Sequence, residues 1–132
     1  MLTLSKQSDY ALIILSQLIG KEEYIPLSEL VKHTNLPQRF LARIAARLVS
    51  EKLLLSREGR IGGYKLTSHV EKINFYDFLR IFEKRLDFLN CLEPHADKCR
   101  FEKVCKHRKG VRTKLNEIVM GQLKQTRLLD IF

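Results

Sequence analysis

Apolar positions in this chain repeat at intervals of three and four residues for most of its length, with one short break into strand-like runs. Ala11, Leu12, Ile14, Leu15, Leu18 and Ile19 give residues 5–20 a broad apolar helical face, which Ser5 or Ser8 can cap and Gly20 can stop. Pro26 marks a loop over residues 21–27, and Ser28 can cap a short helix from Glu29 to His33 that carries Leu30 and Val31 inward. Thr34, Asn35 and Leu36 make a tight connection to Pro37, whose missing N–H costs nothing in the first turn of the next helix. That helix is expected to run to about Lys52, with Phe40, Leu41, Ile44, Ala45, Leu48 and Val49 on one face and Arg39, Ala42, Arg43, Ala46 and Arg47 on or beside the other.

The break comes next. Leu53 to Ser56 reads as a strand, Arg57 to Gly63 as a glycine-rich turn and Tyr64 to Thr67 as a return strand. Two short helices joined by a tight turn, the second with small and basic outward residues, form the pattern of a helix-turn-helix, and a hairpin directly after the second helix forms a wing. Helical spacing then resumes. Asn74 and Asp77 have the separation of a capping box ahead of a helix to about Arg85, whose Phe75, Phe78, Leu79, Ile81 and Phe82 should pack beneath the reading head. A last stripe, Val111, Leu115, Ile118, Val119, Met120 and Leu123, runs to about Thr126; it is too apolar for a solitary surface helix and is expected to pair with a second copy of the chain. The tail from Leu128 to Phe132 is expected to dock back on that dimer.

The fold class is therefore mainly α with a small β wing: a winged helix-turn-helix over residues 1–70, then a cysteine loop and dimerisation helix over 71–132, within one compact domain. A chain of 132 residues with 45% hydrophobic content can bury a core without staples. No apolar run reaches the roughly 20 residues that span a bilayer, and the first residues lack the features of a signal peptide, so a cytoplasmic location is expected.

Charge sharpens the reading. There are 24 Lys and Arg against 15 Asp and Glu, a net +9, which points to a polyanionic partner. Seven of those cations and only two acids fall between Gln38 and Lys65, on the helix-turn-helix and its wing, which favours double-stranded DNA. Gln38, Arg39 and Arg43 are candidates for base contact, since Arg can bond guanine and Gln adenine through two hydrogen bonds. Arg47 can serve phosphate or an internal ion pair, Arg57, Arg60 and Lys65 should serve backbone or minor groove, and Ser28 joins the DNA-contact set at the start of the short helix.

All three cysteines, Cys91, Cys99 and Cys105, lie within fifteen residues. In a reducing compartment such a group suggests metal or redox chemistry before structural disulfides, and an odd number cannot pair off within one chain. Gaps of seven and five residues lack the close ligand pairs usual in small zinc sites and suit an iron–sulphur cluster with a fourth ligand from elsewhere. Eight Lys and Arg against one acid between Lys98 and Lys114 would favour thiolates and offset an anionic cluster; a solvated or DNA-facing surface accounts for them equally. On spacing alone, a thiol redox switch or a zinc site stays open beside the cluster.

The start LSKQSDYAL, the block LPQRFLARIAARLVSEKLLLSREGRIGGYKL and the three late cysteines ahead of a long last helix resemble the IscR/NsrR family of bacterial winged-helix regulators, which sense iron–sulphur status, nitric oxide or redox stress. The resemblance covers nearly the whole chain. It implies a homodimeric repressor or activator, not an enzyme, that reads a palindromic operator and binds a [4Fe-4S] or [2Fe-2S] cluster through Cys91, Cys99 and Cys105. In the nitric-oxide-sensing branch a helix-1 aspartate of the partner subunit is the fourth ligand, and Asp9 stands where that motif places it; in the assembly-regulator branch a histidine follows the third cysteine, which makes His107 the alternative. His107 lies two residues after Cys105 where that branch has three, and that branch lacks the helix-1 aspartate, so the resemblance favours Asp9; His95, inside the loop, is a weaker candidate. A basic electron carrier or thiol enzyme would account for the cysteines and leave the wing unexplained, and the chain carries no nucleophile–base set or nucleotide loop to support one.

Overall fold

A computed structural model describes residues 3–86, 103–105 and 110–132. Helix α1 spans Lys6–Leu18, α2 Leu27–Thr34 and α3 Gln38–Ser50; strands β1, Leu54–Arg57, and β2, Gly63–Leu66, form an antiparallel hairpin; α4 spans Phe75–Phe82 and α5 Val111–Gln125. Short 3-10 turns follow β2 at Ser68–Glu71 and α5 at Leu128–Ile131.

Several helix ends have a local cause. Ser5 caps α1, its hydroxyl accepting from the Ser8 amide. Helix α2 starts two residues earlier than Ser28 suggests: Pro26, extended at ψ 148°, is the cap, and its carbonyl accepts from the amides of Glu29 and Leu30. Ser28 is instead an exposed residue inside the first turn. Asn74 caps α4 by accepting from the Asp77 amide at 2.8 Å, while its own side-chain amide donates to the Asp77 carboxylate at 2.9 Å. Helix α4 ends at Phe82, three residues short of the expected Arg85, because Glu83 turns away to bond α1.

The core is continuous across these elements. Ala11, Ile14, Leu15 and Leu18 of α1, Leu30 of α2, Leu41, Ile44, Ala45 and Leu48 of α3, and Phe78 and Leu79 of α4 are all buried together. Each fully buried leucine contributes about 1.5–3 kcal/mol over its exposed state, so the apolar face of α3 alone anchors that helix firmly. The start of the C-terminal tail packs on its own chain. Leu128 is completely buried in this core; its amide donates to the Ile73 carbonyl at 3.0 Å, and the Phe75 amide donates to the Thr126 carbonyl at 2.8 Å.

Candidate nucleic-acid interface

The turn between α2 and α3 is made by Asn35, which takes a left-handed conformation at φ 55°, where Asn is tolerated better than most residues. Pro37 then opens α3. Because Leu41, Ile44, Ala45 and Leu48 are spent on the core, helical geometry leaves Gln38, Arg39, Arg43, Ala46 and Arg47 exposed. Gln38, Arg39 and Arg43, three of the four α3 candidates, are exposed, and no hydrogen bond or ion pair engages their side chains among the described residues. Arg47 is held differently, in an ion pair with Glu51 at 3.2 Å. Both groups are exposed, and such a pair contributes only about 0.3–0.5 kcal/mol, so a phosphate can displace the carboxylate.

Sequence reasoning missed one cation beside this helix. Lys6, at the start of α1, lines a shallow apolar dish with Tyr10, Pro37, Arg39, Phe40 and Arg43. Its floor is the edge-to-face contact of Tyr10 with Phe40, ring centroids 5.2 Å apart, which fixes α1 against α3. Nothing in the spacing of residues 6 and 39 along the chain signals that approach.

The hairpin pairs Leu54 with Leu66, Leu55 with Lys65, Ser56 with Tyr64 and Arg57 with Gly63, leaving residues 58–62 as the tip. Arg57 and Arg60 are exposed there, whereas Lys65 is half-buried in β2 toward the base. The wing is joined to the helix-turn-helix. Ile25, just ahead of α2, exchanges two backbone hydrogen bonds with Tyr64, at 2.9 and 2.8 Å. Tyr24 adds a second contact, with the Arg57 guanidinium 5.8 Å from its ring centroid. Neither contact was foreseen from sequence, since each joins residues more than thirty positions apart.

Of the candidate cluster ligands, Asp9 and Cys105 are described; Cys91, Cys99, His95 and His107 lie outside the described residues, as does most of the basic run around them. Asp9 is exposed in the first turn of α1, and Cys105 is half-buried beside the exposed Val104. The turn that carries Asp9 is anchored. The Ser5 amide donates to the Glu83 carboxylate at 2.7 Å, and the Ser8 hydroxyl, completely buried, donates to the same oxygen. Burial pushes the Glu83 carboxyl up, but hydrogen bonds from the Ser8 side chain and from Ser5 outweigh it and leave the group below its ordinary value. Among the described residues no three His, Cys, Asp or Glu side chains converge as metal ligands, so the fit of an iron–sulphur cluster rests on the chemistry of the donor set: three thiolates, which suit iron, and a carboxylate or imidazole to complete them.

A family model described as an iron-dependent transcriptional regulator, Rrf2, matches residues 4–132. The chain belongs to the Rrf2 family. It is 30% identical over 88 residues to an HTH-type transcriptional regulator of Aquifex aeolicus, a match covering 65% of this chain and 61% of that protein. It is 27% identical over 100 residues to the HTH-type transcriptional regulator NsrR of Oceanobacillus iheyensis, covering 74% and 68% respectively. The chain thus spans less than two thirds of the Aquifex relative. Among solved structures it is similar to CymR, the global cysteine regulator of B. subtilis, with a TM-score of 0.76 at 24% identity over 99% of this chain and 96% of that one. It is also similar to T. potens IscR, with a TM-score of 0.64 at 24% identity over 98% and 85%. At these identities the likeness establishes the mainly helical fold with a two-stranded wing. The Rrf2 family is described as one of transcriptional regulators, and both of these relatives are named as transcriptional regulators. No helix among the described residues is long and apolar enough to cross a membrane.

Proposed function

We propose that this Rrf2 protein is a homodimer that binds a palindromic DNA operator, and that its operator affinity is gated by an iron–sulphur cluster held by Cys91, Cys99 and Cys105 of one subunit and Asp9 of the partner subunit. The observation that carries the DNA reading is the face of α3: Gln38, Arg39 and Arg43 stand clear of the core while the adjoining wing is fixed to the helix-turn-helix by the Ile25–Tyr64 pair. Gln38, Arg39 and Arg43 read base edges; Arg47, Arg57, Arg60, Lys65 and Ser28 meet the backbone or the minor groove. Two recognition helices must lie roughly 34–36 Å apart, one turn of DNA, to read both half-sites.

A bound cluster supplies a link between its ligands that is lost on oxidation or nitrosylation. The protein's part is to make that link matter. Asp9 sits one residue after Ser8, which Glu83 holds down together with Ser5, and Tyr10, one residue further, packs on Phe40 of α3. A ligand bond at Asp9 therefore acts on a turn already fixed to the recognition helix. Because the bond bridges subunits only in the liganded arrangement, it has the differential binding energy that a shift between two dimer geometries needs.

Anaerobic purification with an absorption spectrum and iron and sulphide analysis tests this on wild type and Asp9→Ala. A brown protein with equal iron and acid-labile sulphide, altered by Asp9→Ala, supports the reading. A colourless protein that also resists anaerobic reconstitution overturns the cluster and moves the signal to the thiols or to zinc. Binding to duplex DNA that falls steeply with salt tests the DNA reading separately, through the release of counterions.

A further inference from the structure

The wing tip carries an aliphatic side chain that the proposed contacts leave unused. Ile61 is 74% exposed, between Arg60 and the buried Gly62. The other aliphatic side chains of comparable exposure among the described residues, Val104 and Ile118, lie beside Cys105 and in α5, where the cluster and the dimer already ask for them. Ile61 has no such role.

Its presentation is built into the hairpin. The Gly62 amide donates to the Gly59 carbonyl at 3.1 Å, closing the turn. A Cβ at residue 62 would lie 2.1 Å from the Arg57 carbonyl oxygen, so the turn closes tightly there and only glycine fits beside the exposed Ile61. The hairpin cannot swing this side chain back to the core, because Tyr64 is bonded to Ile25 and Arg57 rests on Tyr24. An aliphatic group exposed at a tip that also carries the exposed Arg57 and Arg60 suits a surface that is anionic outside and apolar within. Duplex DNA seen from the minor groove has that character: phosphates on the rims and stacked bases between.

We propose that Ile61 is a wedge that enters the minor groove beside each half-site and partly unstacks one base step, so that affinity depends on how easily that step opens. Pyrimidine–purine steps unstack most readily, and TA most of all, so the residue selects flexible sequence at a position where no hydrogen bond reads a base. This inference rests on the DNA reading above.

The test selects duplexes from a random-sequence library with anaerobically purified wild type, Ile61→Ser and Ile61→Leu. Wild type and Ile61→Leu should enrich a pyrimidine–purine step at one fixed distance outside the half-site. Ile61→Ser should select the same half-site without that step and bind the wild-type consensus about tenfold less tightly, as loss of one buried aliphatic side chain implies, with an unchanged salt slope. Equal enrichment of the step by wild type and Ile61→Ser, or no enrichment by wild type, overturns the wedge and leaves the DNA reading intact. A wild-type protein that selects no duplex at all overturns both.

Discussion

Glu83 shows how much one side chain can join. It lies just after α4, yet its carboxylate takes hydrogen bonds from Ser5 and Ser8 at the far end of the sequence, and Ser8 is completely buried. A hydrogen bond to a charged group contributes about 1.5–3 kcal/mol, and a buried hydroxyl stripped of its acceptor costs a similar amount. Glu83→Ala should therefore lower stability by roughly 2 kcal/mol, measured by urea unfolding at pH 7. The pH dependence has a definite sign. The native carboxyl sits below its ordinary value of 4.5, so this tie contributes stability that is fully present above that value and is lost as pH falls through the lower native one. Wild type should lose more stability than Glu83→Gln between pH 7 and about pH 3.5, the amide having no charge to lose; parallel curves would show the tie to be silent. At the proposed DNA face the residue to test is Arg43, exposed on α3. Arg43→Ala should weaken binding by about 1–3 kcal/mol on the best operator and much less on variants at one base pair; a uniform loss across all variants would make it a phosphate contact.

Among the elements, those with a local cause were legible and those with a distant cause were not. The α3 face, the Asn35 turn and the Asn74 cap all follow from residues within four positions of one another, and each formed as the spacing predicts. The start of α2 did not, because Ser28 satisfies the rule for a side-chain cap while Pro26, already extended, opens the helix two residues sooner. The end of α4 and the tail depend on partners some fifty to eighty residues away, Ser5 and Ser8 for Glu83, Ile73 for Leu128, which no periodicity encodes. The wing shows the same division: its glycines announced a tight hairpin but not what it presses on. Gly63, at φ +138°, lies so close to Ile25 that a Cβ would come within 2.2 Å of that residue's carbonyl oxygen. Gly63→Ala should detach the wing from Ile25, costing about 2 kcal/mol or more from strain and lost pairing. Thermal unfolding would register that loss, and DNA binding should weaken with a shallower salt slope as Arg57 and Arg60 lose their placement.

At the scale of the whole molecule, α5 carries one of the most exposed aliphatic side chains among the described residues. Leu115, Val119, Met120 and Leu123 are half-buried there, and Met120 and Leu123 already touch the core, yet Ile118 on the same helix is 61% exposed. One side of α5 is thus used by α4 and the core, where Lys124 also lies 4.8 Å from the Tyr76 ring, while Ile118 points elsewhere. The proposed dimer gives that side chain its partner: a two-fold axis along α5 would set Ile118 against the same helix of a second copy. Ile118→Glu should place like charges at that contact and convert the dimer to monomer at micromolar concentration, read by sedimentation velocity. Since the chain's own core does not enclose this residue, the thermal midpoint of the isolated subunit should hold. DNA affinity should fall steeply, because one subunit can occupy only one half-site at a time. Asp9→Ala separates the two roles of the dimer: it should keep the sedimentation coefficient of wild type and lose iron, since Asp9 is exposed on α1 and carries no packing. If Ile118→Glu also lost iron while its three cysteines were intact, the fourth ligand would have to come from the partner subunit, as Asp9 does in this proposal; if the monomer kept a full cluster, a ligand of its own chain such as His107 would take that place.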